Sequence, residues 1–597
     1  MSQPVITPAD LTNGEIPSGF EVVHLKTSAS DRLSKVILPR NPQQGHVVIF
    51  TATSMQGIAA VTVSGGEGLD AIEYKIVPPA QNSFTFDDGV WVISGANVSV
   101  LSPRVVGNRI PDNPQSLTSY QLQNGNFVAK IFLPDQASNG DLIFITSNAG
   151  SVATVAPGAL LFNNTIKIRK GDLYVFAYLD AFGKWGLWHS PTRTPKPTSE
   201  LAQPIAPRTR FTIRPANWLS QVRLPQQAGD RDRIIITSTA QRSTRILPAN
   251  IINPAAMTVS SGEEYEFLYV KEKNGWFMER SPDTRYEVKD LLSGNVPALV
   301  KPRTIISLSK GKWHGNITLP KSQAKGSRVI VENTALRETQ VRFRGLSHPV
   351  EEGEIVAFKV NKNGVWQKET TTIDLLLLYS DEAAALLGEG AMKQRLLEEL
   401  RLTNEALENS GANFRFRSKA IRQIPAIRSW NADQRNQCWK GNSTGEPDLT
   451  TVLCLLSHDD MVESWLDELA ADGVYYEGTE RTPGYCGFGG YNDDLRMIVA
   501  VGSVTEQDCS LNVMAHELGH GMGLNHPGET VIKGKPYGVG YAKLNTIMAI
   551  GYSHMVYSTP HRYHRGYGIP MGIPNQIDAV RAMNEVAAER AAYRSEG

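Results

Sequence analysis

Residues 516–526 read HELGHGMGLNH: three histidines, a glutamate and a glycine at fixed offsets within eleven residues. His516 and His520 are four apart, so on a helix both imidazoles lie on one face, about one turn separated. Two imidazoles placed in this way can bind one tetrahedral Zn2+ at roughly 2.0–2.1 Å each. Glu517 projects beside them, within reach of a water at the metal but not itself a ligand. The helix is expected to begin near Ser510, a good N-cap. Gly523 can take a positive φ and end it sharply. The chain then turns back and brings in His526 as third ligand, and Pro527 blocks continuation of the helix. The chemistry implied is hydrolysis at one catalytic Zn2+. Three neutral imidazoles leave a fourth position for water, and Glu517 serves as general base and then passes the proton to the departing amine. From this chain's own frequencies, HExxH arises by chance in about one such chain in a hundred. The added glycine and third histidine bring that to on the order of 10⁻⁵, which sets aside a polar helix face that happens to hold histidines.

The elements that must position these residues sit in a long chain. At 597 residues it exceeds what one core can bury, so several domains are expected. Lys+Arg and Asp+Glu both number 60, so the charge balance makes no case for nucleic acid or an anionic membrane surface. No apolar run approaches the ~20 residues that span a bilayer, and direct membrane insertion is not expected. No GxxxxGK[ST] phosphate loop occurs. The start, MSQPVITPADL, lacks a basic stretch followed by an apolar one, so no signal peptide is expected in it. The four cysteines, Cys438, Cys454, Cys486 and Cys509, form no CxxC pair and are confined to one segment. Two disulfides and an oxidising compartment follow as expectations. Three connectivities are open, with the neighbours Cys438–Cys454 and Cys486–Cys509 favoured because short loops close most easily.

Four segments share a template: VILPRNPQQGHVVIFTA from Val36, IFLPDQASNGDLIFITSNA from Ile131, VRLPQQAGDRDRIIITSTA from Val222 and ITLPKSQAKGSRVIVENTA from Ile317. Each has a short strand ending in Leu-Pro, a polar loop and a β-branched strand. The leucines Leu38, Leu133, Leu224 and Leu319 recur at spacings of 95, 91 and 95, and Trp91, Trp185, Trp276 and Trp366 follow them at similar distances. The runs before the last three tryptophans read as β-hairpins. Packing into each repeat explains the tryptophans better than a sugar-stacking role. Trp188 and Trp313 break the template and are candidates for exposed contacts. Helix is nearly absent before residue 380. The reading is a multidomain chain of four tandem all-β (β-sandwich) repeats at 1–105, 106–195, 196–285 and 286–370, each of a size typical of such folds. The Pro-rich stretch from Ser190 to Arg208 is a stiff linker between the second and third.

The pattern changes at residue 371. IDLLLLYS, from Ile373, reads as a fully buried strand. Met392, Leu396, Leu400 and Leu407 then share one helical face, Gly411 stops that helix, and strand alternation returns in ANFRFRSKAIRQI. Residues 371–597 are therefore expected to form one α/β catalytic domain. RLLEELR, from Arg395, reads as a solvated helix face.

HELGHGMGLNH matches HExxHxxGxxH at every defined position, and here the chain resembles the metzincin zinc metallopeptidases. The resemblance implies a methionine turn, supplied by Met548 in NTIMAIGYS, whose methionine packs beneath the metal without ligating it. Within the clan, the segment with Ser558 and Pro560 and the C-terminal tail from Pro574 are most similar to the adamalysin or reprolysin-like branch. It implies a substrate lying extended along an edge strand, with GYCGFGGY from Gly484 as that rim, LRMIVAVGS inside the sheet, and Tyr485, Gly487, Phe488 and Tyr557 as rim residues. His554, His561 and His564 are expected at the surface or rim, the ligand set being already complete. Four β-repeats before such a domain are similar to bacterial type II-secreted, glycan-specific metalloendopeptidases. That implies an extracellular enzyme that cuts host glycoproteins next to O-glycosylated Ser/Thr, a membrane-anchored secretion chaperone as partner, and otherwise a monomer. The alternatives are an adhesin or glycan-binding protein whose repeats are the main function, and a toxin delivered by a contact-dependent system.

Overall fold

The computed structural model describes residues 4–594 except 12–13, 29, 32, 34, 41, 44, 53–60, 66–71, 77–79, 88–89, 96–98, 115–116, 163–164, 322, 336, 427–447, 483, 492–496, 506–511, 530–534, 550–553 and 565–566. It shows a multidomain, mostly β protein. One compact unit comprises Met1–Ile252, Val259–Arg280 and His564–Ile569, and the other Asn253–Thr258, Ser281–Tyr563 and Pro570–Gly597. No helix among the described residues is long and apolar enough to cross a membrane.

The first unit contains three copies of one pattern and the second unit a fourth. Each copy joins a five-stranded sheet to a three-stranded one. In the second copy the large sheet runs Lys184–His189, Leu173–Leu179, Leu142–Ser147, Leu117–Leu122, Ser99–Leu101, and the small one Lys130–Ile131, Ala153–Val155, Ile166–Ile168. The Leu-Pro pair follows the short strand of the small sheet, and the β-branched strand after it enters the large sheet. The Pro-rich stretch is not purely linker, because Thr192–Arg193 pairs in parallel with Arg208–Ile213 in the third copy's large sheet. Ser99–Leu101 and Asp283–Glu287 likewise join the sheets of the copies that follow them.

The two repeated signals, Leu-Pro and Trp, are two ends of one contact. The indole Nε1 of Trp91 donates to the Pro39 carbonyl at 3.3 Å, Trp185 to Pro134 at 2.9 Å, Trp276 to Pro225 at 2.8 Å and Trp366 to Pro320 at 2.8 Å. All four indoles are buried, as are Leu38, Leu133, Leu224 and Leu319. A buried indole N–H needs an acceptor, and a carbonyl at the turn after the short strand is in reach in every copy. Tyr178 and Tyr269 meet Trp185 and Trp276 with the same geometry, 5.2 Å between centroids at 64°. Trp188 and Trp313 are not exposed contacts. Trp188 is half-buried edge-on against Tyr567, 5.9 Å between centroids, and Trp313 is half-buried beneath the Arg337 guanidinium. Both break the template because each packs on a side chain outside its own Leu-Pro contact.

Past residue 370 a five-stranded sheet runs Phe414–Ile424, Thr371–Ser380, Gly473–Gly478, Ile498–Ser503, Gly487–Tyr491. The first four strands are parallel and the last is an antiparallel edge. The run LLLLY is continuous because the strand is covered on both faces. Ile373, Leu375 and Leu377 join one core with Met392, Leu396, Met514 and Leu518, while Leu376 and Leu378 join another with Leu449, Val452, Val474 and Val501. The helix Glu389–Ser410 buries Met392, Leu396, Leu400 and Leu407 and ends at Gly411, whose φ of 84° only glycine adopts cheaply. RLLEELR is only partly a solvated face. Glu399 is fully buried, and Arg395 pairs with it at 2.8 Å and with the equally buried Glu477 at 2.7 Å. Glu399 is drawn inward because Arg395 bridges it to Glu477 on the neighbouring strand.

Candidate metal centre

The motif helix runs Val513–Gly521 with Asn512 at its N-cap position. It therefore starts later than a cap at Ser510 would place it, and Ser510 itself lies outside the described residues. Its end is a Schellman turn: the Leu524 amide donates to the Gly519 carbonyl at 3.0 Å and the Gly523 amide to that of His520 at 2.8 Å. Gly523 has φ of 88°. This reversal brings His526 back over His516 and His520, and one ring nitrogen of each of the three lies within 4.8 Å of the others.

The orientation of the rings comes from their other nitrogens. Nδ1 of His516 donates to the Ile547 carbonyl at 2.6 Å, that of His520 to the Leu524 carbonyl at 2.8 Å, and that of His526 to Glu529 Oε1 at 2.7 Å. A proton held at Nδ1 leaves the Nε2 lone pair free, which is how metal-binding imidazoles are prepared. Nε2 of His516 and of His526 are 3.0 Å apart. Two lone pairs at that separation repel unless a cation sits between them, and tetrahedral Zn2+ places its nitrogens about 3.3 Å apart. The donor set therefore fits a divalent ion of this kind. Burial, with the His520 imidazole second, pushes His516 down to about 3. Burial also lowers His520, so both are neutral at pH 7. Glu529 was missed in the sequence; a carboxylate three residues after the last histidine, past a Pro-Gly turn, is the signal that could have found it.

Glu517 is buried, and burial pushes its carboxyl up to about 8. It lies against the edge strand Gly487–Tyr491, where the glycines make the approach possible. A Cβ on Gly487 would stand 2.7 Å from the Glu517 Cγ, and one on Gly489 would stand 2.0 Å from the Glu517 carbonyl oxygen. The glycine-rich piece is thus an edge strand pressed onto the motif helix. Tyr485 is exposed at its start and stacks on Phe488, 5.0 Å between centroids. On the far side of the helix a Cβ on Gly519 would meet Met548 Sδ at 2.6 Å, so the buried Met548 packs beneath the histidine face.

Several expectations need correction. Tyr557 is not a rim residue: it is fully buried and its hydroxyl donates to the Ala515 carbonyl within the motif helix. His554 and His564 are buried as well, His564 stacking on Tyr567 at 4.8 Å, and only His561 is exposed. The ligand count that placed them outside decides what they do not bind and says nothing of their burial. There is no free cysteine among the described residues, and Cys454 and Cys486 are each disulfide-bonded. Cys438 and Cys509 lie outside the described residues.

Comparison with known proteins adds three findings. The family described as the β-sandwich domain of metalloprotease StcE matches residues 115–188, 206–280 and 301–370. A peptidyl-Asp metalloendopeptidase of Pseudomonas aeruginosa is 24% identical over 256 residues, covering 38% of this chain and 41% of the relative. The match thus spans less than half of that protein's length. A chain in a solved structure of a chaperone–substrate complex is 27% identical, with TM-score 0.77 and 99% of both chains covered. Together the similarities support a metallopeptidase, and with it a bound metal ion.

Proposed function

We propose that this chain is a secreted zinc metalloendopeptidase of metzincin type, adamalysin-like in residues 371–597, that cuts glycoproteins next to O-glycosylated Ser/Thr. The observation that carries the reading is the convergence of three imidazoles whose Nδ1 atoms are all occupied by acceptors. His516, His520 and His526 would hold the ion. Bound Zn2+ supplies Lewis acidity and makes a water far more acidic than in bulk. Glu517 takes a proton from the attacking water and returns one to the leaving amine. Burial raises the proton affinity of its carboxylate, which helps it take that proton, and the ion that the histidines would hold acts against that rise and keeps it ionised. Among the described residues Gly487–Tyr491 is an edge of the sheet, where an extended substrate can add as a further strand, with Tyr485 exposed beside it.

The disulfides at Cys454 and Cys486 support an oxidising compartment, and we assign them the partners Cys438 and Cys509. The partner we propose is a membrane-anchored secretion chaperone; a similar chain occurs in a chaperone–substrate complex. The similarities to two metalloproteases do not favour the adhesin alternative. The test is Glu517→Ala in the full chain. It should retain one zinc per chain by elemental analysis and lose at least about 10³-fold in turnover. A defined O-glycoprotein should be cut by the wild type only before deglycosylation, with sites read by mass spectrometry. A full-speed variant would remove the mechanism, and equal cutting after deglycosylation would remove the glycan requirement.

A further inference from the structure

His516 is gripped twice, and both grips come from one stretch of chain. The first is the Ile547 carbonyl, which accepts from its Nδ1 at 2.6 Å. The Ile547 amide donates to the Val556 carbonyl at 3.1 Å, closing a bracket whose next residue is Tyr557. The second grip is the Tyr557 hydroxyl, which donates to the Ala515 carbonyl. That carbonyl belongs to the peptide unit that joins Ala515 to His516. One end of the bracket thus fixes the imidazole and the other fixes the backbone from which it springs.

The bracket is itself anchored. The Tyr557 amide donates to Ser410 Oγ at 2.8 Å, and the Ser410 hydroxyl donates to the Ala406 carbonyl at 2.6 Å, at the end of the 22-residue helix Glu389–Ser410. Ser410 is 2% exposed and Tyr557 0%. The ring lies close to Gly519: a Cβ there would stand 3.3 Å from Tyr557 Cε1, a tight contact that the glycine avoids.

We propose that Tyr557 is a positioning residue for the metal centre, setting the direction of His516 Nε2 through the Ala515–His516 peptide. This rests on the zinc-peptidase reading above. Groups behind a ligand change metal affinity by about 10–100-fold when removed. In the full chain, Tyr557→Phe should weaken zinc binding by about tenfold in competition with a chelator of known affinity. It should change the visible absorption bands of the cobalt(II)-substituted protein, and lower kcat while leaving KM within about twofold. Ser410→Ala, which removes the anchor but keeps the hydroxyl, should move the same readouts in the same direction by less, and it remains measurable if Tyr557→Phe fails to fold. A Tyr557→Phe protein with wild-type zinc affinity and cobalt spectrum, whatever its melting temperature, would overturn the proposal. A wild-type protein that binds no zinc would instead overturn the reading on which it rests.

Discussion

The β-repeats and the C-terminal domain both carry buried aromatic nitrogens, and they use them in opposite ways. In the repeats every Leu-Pro-linked indole spends its one N–H on a proline carbonyl, four times over. Nothing is left for a ligand. In the C-terminal domain each imidazole spends one nitrogen on an acceptor and keeps the other, and the three that are kept converge. The repeated contact is a folding device, since it recurs wherever the same sandwich must close. The unrepeated one is a chemical device, since three imidazole nitrogens brought to one point repel one another and stabilise nothing without a cation. Glycine serves both: in the second repeat Gly183 turns the chain with φ of 59° and Gly186 leaves room for the Tyr567 ring, while around the motif helix Gly487, Gly489 and Gly519 let other groups come within contact distance.

If this division holds, damage to a repeat should cost stability and spare chemistry. Trp276→Ala removes a fully buried indole and leaves the Pro225 carbonyl without its donor. A loss of about 3–5 kcal/mol in the unfolding of its repeat is expected from urea titration. Trp276→Phe should cost less, because most of the volume remains. The kcat on a glycoprotein should stay within about twofold for both. A large fall in kcat for the phenylalanine variant would break the division.

A second, smaller effect sharpens the comparison through pH. Burial pushes the Asp232 carboxyl, in the third repeat, up to about 7; the Gly229 amide opposes this and Asp230 adds to it. The folded state therefore holds a proton that the unfolded chain has released. Stability from this group is complete below the unfolded value near 4 and is lost as pH rises toward 7. Asp232→Asn keeps an oxygen to accept from Gly229 and removes that loss. It should stabilise the protein by about 2–3 kcal/mol at pH 8 and by much less at pH 4.5. Equal effects at the two pH values would show that Asp232 ionises normally, and catalysis should be indifferent either way.

The four repeats and the alternation of buried strand, amphipathic helix and strand were legible because they rest on periodicity and on short-range signals such as Gly411. Which residues could converge on a metal was legible too, because His516, His520 and His526 sit within two turns and one reversal. What holds them was not. Ile547 and Leu524 contribute carbonyls, and a backbone carbonyl carries no residue signature. Tyr557 was placed at the rim by the resemblance, and the backbone carbonyl of Ala515 that its hydroxyl meets carries no residue signature either. Glu399 read as solvated because its second neighbour, Glu477, lies 78 positions away on another strand, beyond the reach of any local pattern.

The smallest effect tests how far the chemical device extends outward. Glu529 is half-exposed and accepts from His526 Nδ1, and that hydrogen bond from His526 is what chiefly holds its carboxyl below the usual range. His526 also follows the helix, so its ring lacks the support that the helix gives His516 and His520. Glu529→Ala should let that ring turn and weaken zinc binding by about threefold to tenfold, toward the low end of such effects because water can replace an exposed partner. Glu529→Gln keeps an oxygen that can accept the Nδ1 proton, and it should recover most of the affinity. Chelator competition on the two variants separates orientation from charge. If both lose affinity equally, the negative charge is what matters; if neither does, the loop after Gly523 holds His526 without help from its neighbour.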